Sequence, residues 1–184
     1  LGNCKMYFSR LAINGLVNGM QPFQTDDGSA TLVCNGEIFN HQDLWSDTKS
    51  DCECILHMIP TMGIMKTCQL LRGEFAFCWT DGERVLAARD PFGVRPLFYT
   101  RLGKDSIAFA SEAKALKGFG TRVEIFPPGH FYDSYSDIFT VYHSCHWPDQ
   151  GTFNGSAIQP IFEEAVRIRV QNTERPVGFF LSGG

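Results

Sequence analysis

The chain is predicted to be an α+β domain over residues 1–143, then a linker at 144–155 and the start of an α/β unit at 156–184. Three observations carry this. From Glu74 onward apolar residues alternate with period two in runs separated by Gly-bearing turns, the mark of antiparallel hairpins. Before them, Ile55, Met58, Ile59 and Met62 recur at helical spacing. Past a polar, Pro- and Gly-bearing stretch, Ile158, Ile161, Phe162, Ala165 and Ile168 form a helical stripe, and Pro176 opens an apolar run: helix, then strand.

Taken in order, residues 4–13 read as a strand, and residues 30–34 as a second, short one. The motif Asn35-Gly36-Glu37-Ile38-Phe39-Asn40 is then expected to turn the chain toward a polar segment ending near Ser46. Ser50 or Asp51 is placed to cap a helix that stops before Gly63, and residues 65–71 give a further short helix closed by Arg72-Gly73. Phe75, Phe77 and Trp79 alternate up to a tight Asp81-Gly82 turn, and residues 85–88 return. A second hairpin has arms at 97–99 and 107–110 about Gly103, after which Ser111 caps a short helix through Lys117. Residues 123–126, the Pro127-Pro128-Gly129 corner, 130–132 and 138–142 close the antiparallel set. Beyond the linker come a helix at 156–171 and a buried strand at 177–181 running into Ser182-Gly183-Gly184.

Composition narrows the partners. At 184 residues the chain is long enough for a real core, and no apolar run approaches the roughly 20 residues of a membrane span. Sixteen basic against twenty acidic residues, scattered along the chain, give a net charge of −4 and no basic stripe for nucleic acid. Small molecules are the expected partners, with neither nucleic acid nor membrane. The seven cysteines are odd in number and form no C-x-x-C pair, which suits reduced thiols and a cytoplasmic setting. The sequence starts at Leu1 with a strand pattern from Cys4 and stops within a small-residue loop, so residues are expected to be missing on both sides.

The Arg10 guanidinium can pair with a carboxylate, and Asp51 with an ammonium, although a strand arginine and a capping aspartate are the plain alternatives. Asn35-Gly36 between apolar runs reads as a type I′ hairpin turn. The run Arg89-Asp90-Pro91-Phe92-Gly93-Val94-Arg95-Pro96 reads as an architectural corner, its charged pair tying it down. Cys34 reads as a small buried apolar residue, and Cys52 and Cys54 point apart on a helix, so neither disulfide nor metal pairing suits them. His143 and His146 flank Cys145 in the linker without a second ligand cluster, and no metal site is expected.

Arg10-Leu11-Ala12-Ile13, the 35–40 motif, Ser50-Asp51-Cys52-Glu53, Leu71-Arg72-Gly73-Glu74-Phe75-Ala76-Phe77, the 88–97 run, Ser111-Glu112-Ala113-Lys114 and Leu181-Ser182-Gly183-Gly184 occur in order along almost the whole chain. The pattern resembles glutamine-hydrolysing asparagine synthetases. The resemblance implies an N-terminal-nucleophile glutaminase domain, a four-layer αββα sandwich incomplete here at its N-terminus, followed by the first helix and strand of an ATP-pyrophosphatase-type domain.

It also implies roles. Glutamine would be bound by Arg10, Leu11, Ala12, Ile13, Asn14, Asn35, Gly36, Glu37 and Asp51, with Asn35 and Gly36 forming the oxyanion hole. Leu181, Ser182, Gly183 and Gly184 would open the ATP-binding loop, ATP acting with Mg2+ in the complete enzyme. Aspartate would be the acceptor, and the parent enzyme a homodimer. The family's nucleophile is an N-terminal cysteine whose own α-amino group is the base. Leu1 cannot replace it, and Cys4 lies too close to Arg10, so these residues alone are expected to be inactive and to bind no cofactor tightly. A non-catalytic glutamine-binding domain, or a piece of another class II amidotransferase such as a β-lactam synthetase-like enzyme, are the alternatives.

Overall fold

A computed structural model describes residues 4–104, 106–120, 122–144 and 155–181. In chain order the elements are β1 (Phe23–Gln24), β2 (Thr31–Ile38), α1 (His41–Leu44), a 3-10 turn (Asp51–Glu53), α2 (Cys54–Leu70), β3 (Gly73–Thr80) and β4 (Val85–Arg89). Then come β5 (Phe98–Arg101), β6 (Ile107–Ala110), a 3-10 turn (Ala113–Leu116), β7 (Val123–Ile125), β8 (His130–Asp133), β9 (Ile138–Val141) and α3 (Ile158–Gln171). Two antiparallel sheets result, one in the order β1-β2-β3-β4-β8-β9 and one in the order β6-β5-β7.

The period-two pattern of β3 explains the layering. Phe75, Phe77 and Trp79 point to one face, where they pack with Leu32, Ile38 and Leu86 and with Ile55, Met58 and Ile59 of α2. Ala76 points to the other face with Ala87 and Tyr132, against Leu97 and Phe126 beside the small sheet. Tyr99, Phe109, Phe126, Tyr132 and Phe139 interlock there as tilted and edge-on ring pairs. The order is helix, sheet, sheet. Outside the small sheet, among the described residues, the expected fourth layer is represented by the 3-10 turn Ala113–Leu116, whose Leu116 is buried.

The two hairpins about Asp81-Gly82 and Gly103 form as expected, and β7 pairs with β5 rather than with β8. Other expectations are corrected. Residues 4–13 form no strand: no described strand pairs with them, and Tyr7 and Leu11 are exposed. Asn35-Gly36 is not a turn but the middle of the continuous strand β2, paired with Ala76 and Phe75. A Cβ at position 36 would run into Glu74 O and come within 2.7 Å of Phe75 Cα, so this glycine serves close strand packing. Neither Ser50 nor Asp51 makes a side-chain cap, nor does Ser111. α2 is broken at Gly63 (φ 78), as the spacing predicted, although helix resumes at once.

In the 89–96 corner the charged pair does not tie itself together. Arg89 donates to the carbonyls of Arg95 (2.7 Å), Gly93 (2.8 Å) and Phe126 (2.8 Å), while the Asp90 carboxylate accepts from the N–H groups of Phe92 (3.1 Å), Val94 (2.9 Å) and Arg95 (2.9 Å). The corner is architectural, held through backbone groups that would otherwise be orphaned.

After the linker α3 forms where expected, but none of its residues is buried. The expected strand at 177–181 does not form: Phe179, Phe180 and Leu181 are exposed, and no described strand pairs with them. A parallel strand draws its stability from neighbours on both faces, which local sequence cannot replace. Ser182, Gly183 and Gly184, the linker residues Cys145 and His146, and Leu1 lie outside the described residues.

Candidate functional site

β1 covers only Thr31 and Leu32 of its neighbour, so from Val33 onward the outer edge of β2 has no strand beside it among the described residues. Side chains take that place. In an antiparallel ladder alternate residues turn their N–H and C=O away from the partner strand. On β2 these are residues 34, 36 and 38. Gln21 forks onto Cys34, its Oε1 accepting from Cys34 N (2.7 Å) and its Nε2 donating to Cys34 O (2.9 Å). Asp51 Oδ2 accepts from Ile38 N (2.7 Å), and the His41 ring meets Ile38 O (3.0 Å). Between them, Gly36 O receives the Cys52 thiol (3.3 Å), while the Gly36 N–H faces outward without a partner among the described residues.

That N–H opens on a cleft of about 260 Å³. Of the residues expected to bind substrate, Arg10, Leu11, Ile13 and Asn14 reach it from the segment before β1. Asn35, Gly36 and Glu37 reach it from β2, and Asp51 from the 3-10 turn. Ala12 does not line it; its carbonyl accepts instead from Arg175 Nε (3.2 Å). Leu181 leaves almost its whole side chain in solvent.

The Arg10 side is built by a turn. Arg10 Nη2 donates to the carbonyls of Asn14 and Gly15, both at 2.7 Å, and Gly19 N returns to Gly15 O at 2.8 Å. Gly15 holds φ +61°, and a Cβ there would strike Lys49 O and approach Ser50 Cβ to 3.1 Å. The turn therefore lies directly against the residues that precede Asp51, so the cation at 10 and the carboxylate at 51 are set by one piece of backbone.

The charges are arranged around a second arginine. Arg95 Nη2 bonds Glu74 Oε1 at 2.7 Å and lies 3.8 Å from Glu37 Oε1. Burial pushes the Glu37 carboxyl above its usual range, aided by the nearby Asp51 and Glu74 charges and opposed by the Asn172 amide and Arg95. Its contact with Cys34, and its burial, push the Cys52 thiol well above the ordinary thiol range. Cys34 and Cys52 line the cleft as buried thiols. Among the described residues no group of His, Cys, Asp and Glu could hold a metal, and no helix is long and apolar enough to cross a membrane.

Comparison with known proteins fits this arrangement. The family model described as a glutamine amidotransferase domain matches residues 2–125. The chain belongs to the glutamine amidotransferase domain family. Its relatives extend the likeness past that amidotransferase domain. A probable asparagine synthetase (glutamine-hydrolyzing) of Dictyostelium discoideum is 38% identical over 95% of this chain and 35% of its own length. Asparagine synthetase (glutamine-hydrolyzing) 1 of Saccharomyces cerevisiae is 38% identical over 95% of this chain and 33% of its own. The chain thus spans about a third of the length of these curated relatives. The fold is shared with glutamine phosphoribosylpyrophosphate amidotransferase from B. subtilis, with a TM-score of 0.57 at 24% identity over 67% of this chain and 32% of that one.

Sequence reasoning missed several cleft residues, Arg95, Cys52 and Gln21 among them. Arg95 stood inside the run read as purely architectural, where its spacing from Arg89 was the available signal. Cys52 was set aside as a helix residue, and it lies instead in the 3-10 turn. Gln21 carried no signal, because its fork onto Cys34 depends on where two distant segments meet.

Proposed function

We propose that the cleft binds free glutamine by its amino-acid end and holds the side-chain amide against Gly36 N–H and the Asn35 amide. The observation that carries this reading is the outward, unpaired Gly36 N–H on a strand edge whose flanking outward groups are both occupied. An unpaired donor fixed in a sheet needs no reorganisation when negative charge develops beside it, and such a donor is worth about 3–4 kcal/mol to the transition state of amide hydrolysis. Asn35 stands next to it on the cleft wall, and none of the hydrogen bonds between described residues uses its side chain.

Arg10 spends Nη2 on backbone carbonyls, leaving Nη1, whose one hydrogen bond among the described residues is to the Met20 thioether at 3.9 Å, for a carboxylate. Asp51 receives Ile38 N on one oxygen and Ser50 Oγ (3.1 Å) on the other, and its remaining lone pairs serve an ammonium. Leu11, Ile13 and Asn14 supply the wall, and Glu37 stands beside the amide. Cys52 does not attack: its buried thiol is held protonated and is a poor nucleophile. The domain's part is to clamp, orient and polarise glutamine.

The whole-protein activity we propose is ATP-dependent transfer of the glutamine amide nitrogen to aspartate, giving asparagine, AMP, pyrophosphate and glutamate. The relatives' identity along nearly the whole chain supports it. ATP with Mg2+ rests on the Leu181-to-Gly184 likeness of the sequence alone. A cytoplasmic setting is part of the same reading.

Isothermal titration of the chain with L-glutamine tests the proposal. Binding is expected, with Asp51→Ala abolishing it; unchanged affinity in that variant would refute the assignment.

A further inference from the structure

The segment after α3 returns to the cleft. Glu174 Oε1 accepts from Gly15 N at 2.7 Å and its Oε2 from Leu16 N at 3.4 Å, while Glu174 N donates to Ile13 O at 3.1 Å. Asn14 Nδ2 donates to Asn172 O at 3.0 Å, Thr173 Oγ1 to Ile13 O at 3.4 Å, and Arg175 Nε to Ala12 O at 3.2 Å. Asn172 is 7% exposed, and its amide stands close enough to Glu37 to favour the charged carboxylate. Arg169, one turn earlier on α3, lies over the Phe39 ring at 4.8 Å.

The hydrogen bonds of residues 172–175 join segments roughly 160 residues apart, and they fall on residues 12–16. This is the turn whose Asn14 and Gly15 carbonyls hold Arg10. The linkage has a direction. Glu174 fixes the N–H groups of Gly15 and Leu16; that fixes the turn; the turn's carbonyls aim the Arg10 guanidinium. Because no residue of α3 itself is buried, this polar strap and the Phe39 contact, rather than a shared core, tie the helix to the domain.

We infer that Glu174 is a positioning residue for the cleft, and that the 172–175 strap couples α3 to its grip on the carboxylate of a free amino acid. Rested on the glutamine reading above, it means that glutamine occupancy and strap closure stabilise each other. Coupling between two sites is reciprocal, so whatever tightens the strap tightens glutamine and glutamine protects the strap.

The experiment compares the 184-residue chain with Glu174→Ala and Glu174→Gln, by glutamine titration and by amide hydrogen exchange. Glu174→Ala is expected to speed exchange at Gly15 and Leu16 and to weaken glutamine about tenfold, equivalent to about 1.4 kcal/mol. Glu174→Gln keeps an acceptor for Gly15 N, and its affinity is expected to stay within about threefold of the parent. Glutamine should slow exchange at Glu174 in the parent and not in Glu174→Ala. Unchanged exchange at Gly15 in Glu174→Ala, faster exchange there with unaltered affinity, or equal losses in the two variants would each overturn the inference. If the parent chain binds no glutamine, the proposed function fails by itself, and exchange at Gly15 still decides whether the strap holds the turn.

Discussion

The two walls of the cleft are made of opposite materials. Asn35 and Gly36 belong to β2, paired along its whole length with β3 and backed by the side chains that pack on α2. Arg10 belongs to a segment without secondary structure, held by carbonyls of its own turn and by Glu174 from the far end of the chain. The difference matches the tasks proposed for the two walls. Donors that meet developing charge work best when fixed in advance. A clamp that must admit and release an amino acid works from a loop with a strap that opens.

Substitutions on each wall sharpen this contrast. The largest effect is expected from Gly36→Ala, which forces a methyl group into the backbone of Glu74 and Phe75 and should cost about 3 kcal/mol in urea unfolding. A cost under about 1 kcal/mol would show that β2 is not rigid there. Next is Asp51→Ala, which leaves Ile38 N buried without an acceptor, at about 2 kcal/mol and with loss of glutamine binding. Asp51→Asn keeps that acceptor and should recover most of the stability while still failing to hold an ammonium. Gly15→Ala strains a left-handed position and should cost about 1–2 kcal/mol while raising the glutamine Kd, an effect confined to the Arg10 wall.

The smallest effect concerns pH. Glu37 titrates above its usual range in the fold because it is buried, so the native state keeps its proton to higher pH than the unfolded chain. The stability this contributes is complete below the ordinary glutamate value of about 4.3 and is lost as pH rises through the raised native value. Relative to Glu37→Gln, the parent's unfolding midpoint should therefore fall as pH is raised across that window. A relative rise there would contradict the burial argument.

What the sequence revealed and what it concealed divide along the same line. Hairpins, α2 and α3 were legible because period and turn residues are local, and the residue types of the cleft were legible from the motif order. Asn35-Gly36 was open to a hairpin reading, since the partner that makes position 36 require glycine, the backbone at 74–75, is distant in sequence. Asp51 looked like a cap, and only the fold brings Ile38 N to it. Glu174 was illegible for the same reason. The expected strands at 4–13 and 177–181 failed together: alternation and apolarity state a preference, and a ladder needs a neighbour.

The most direct test is a 1H–15N NMR titration of the chain with L-glutamine, following the Gly36 amide. The account predicts that Gly36 N–H, with Ile38 and Gly15, shifts on saturation while the amides of β5, β6 and β7 stay in place. Saturable glutamine binding that leaves Gly36 unmoved, or that moves the small sheet instead, would contradict it.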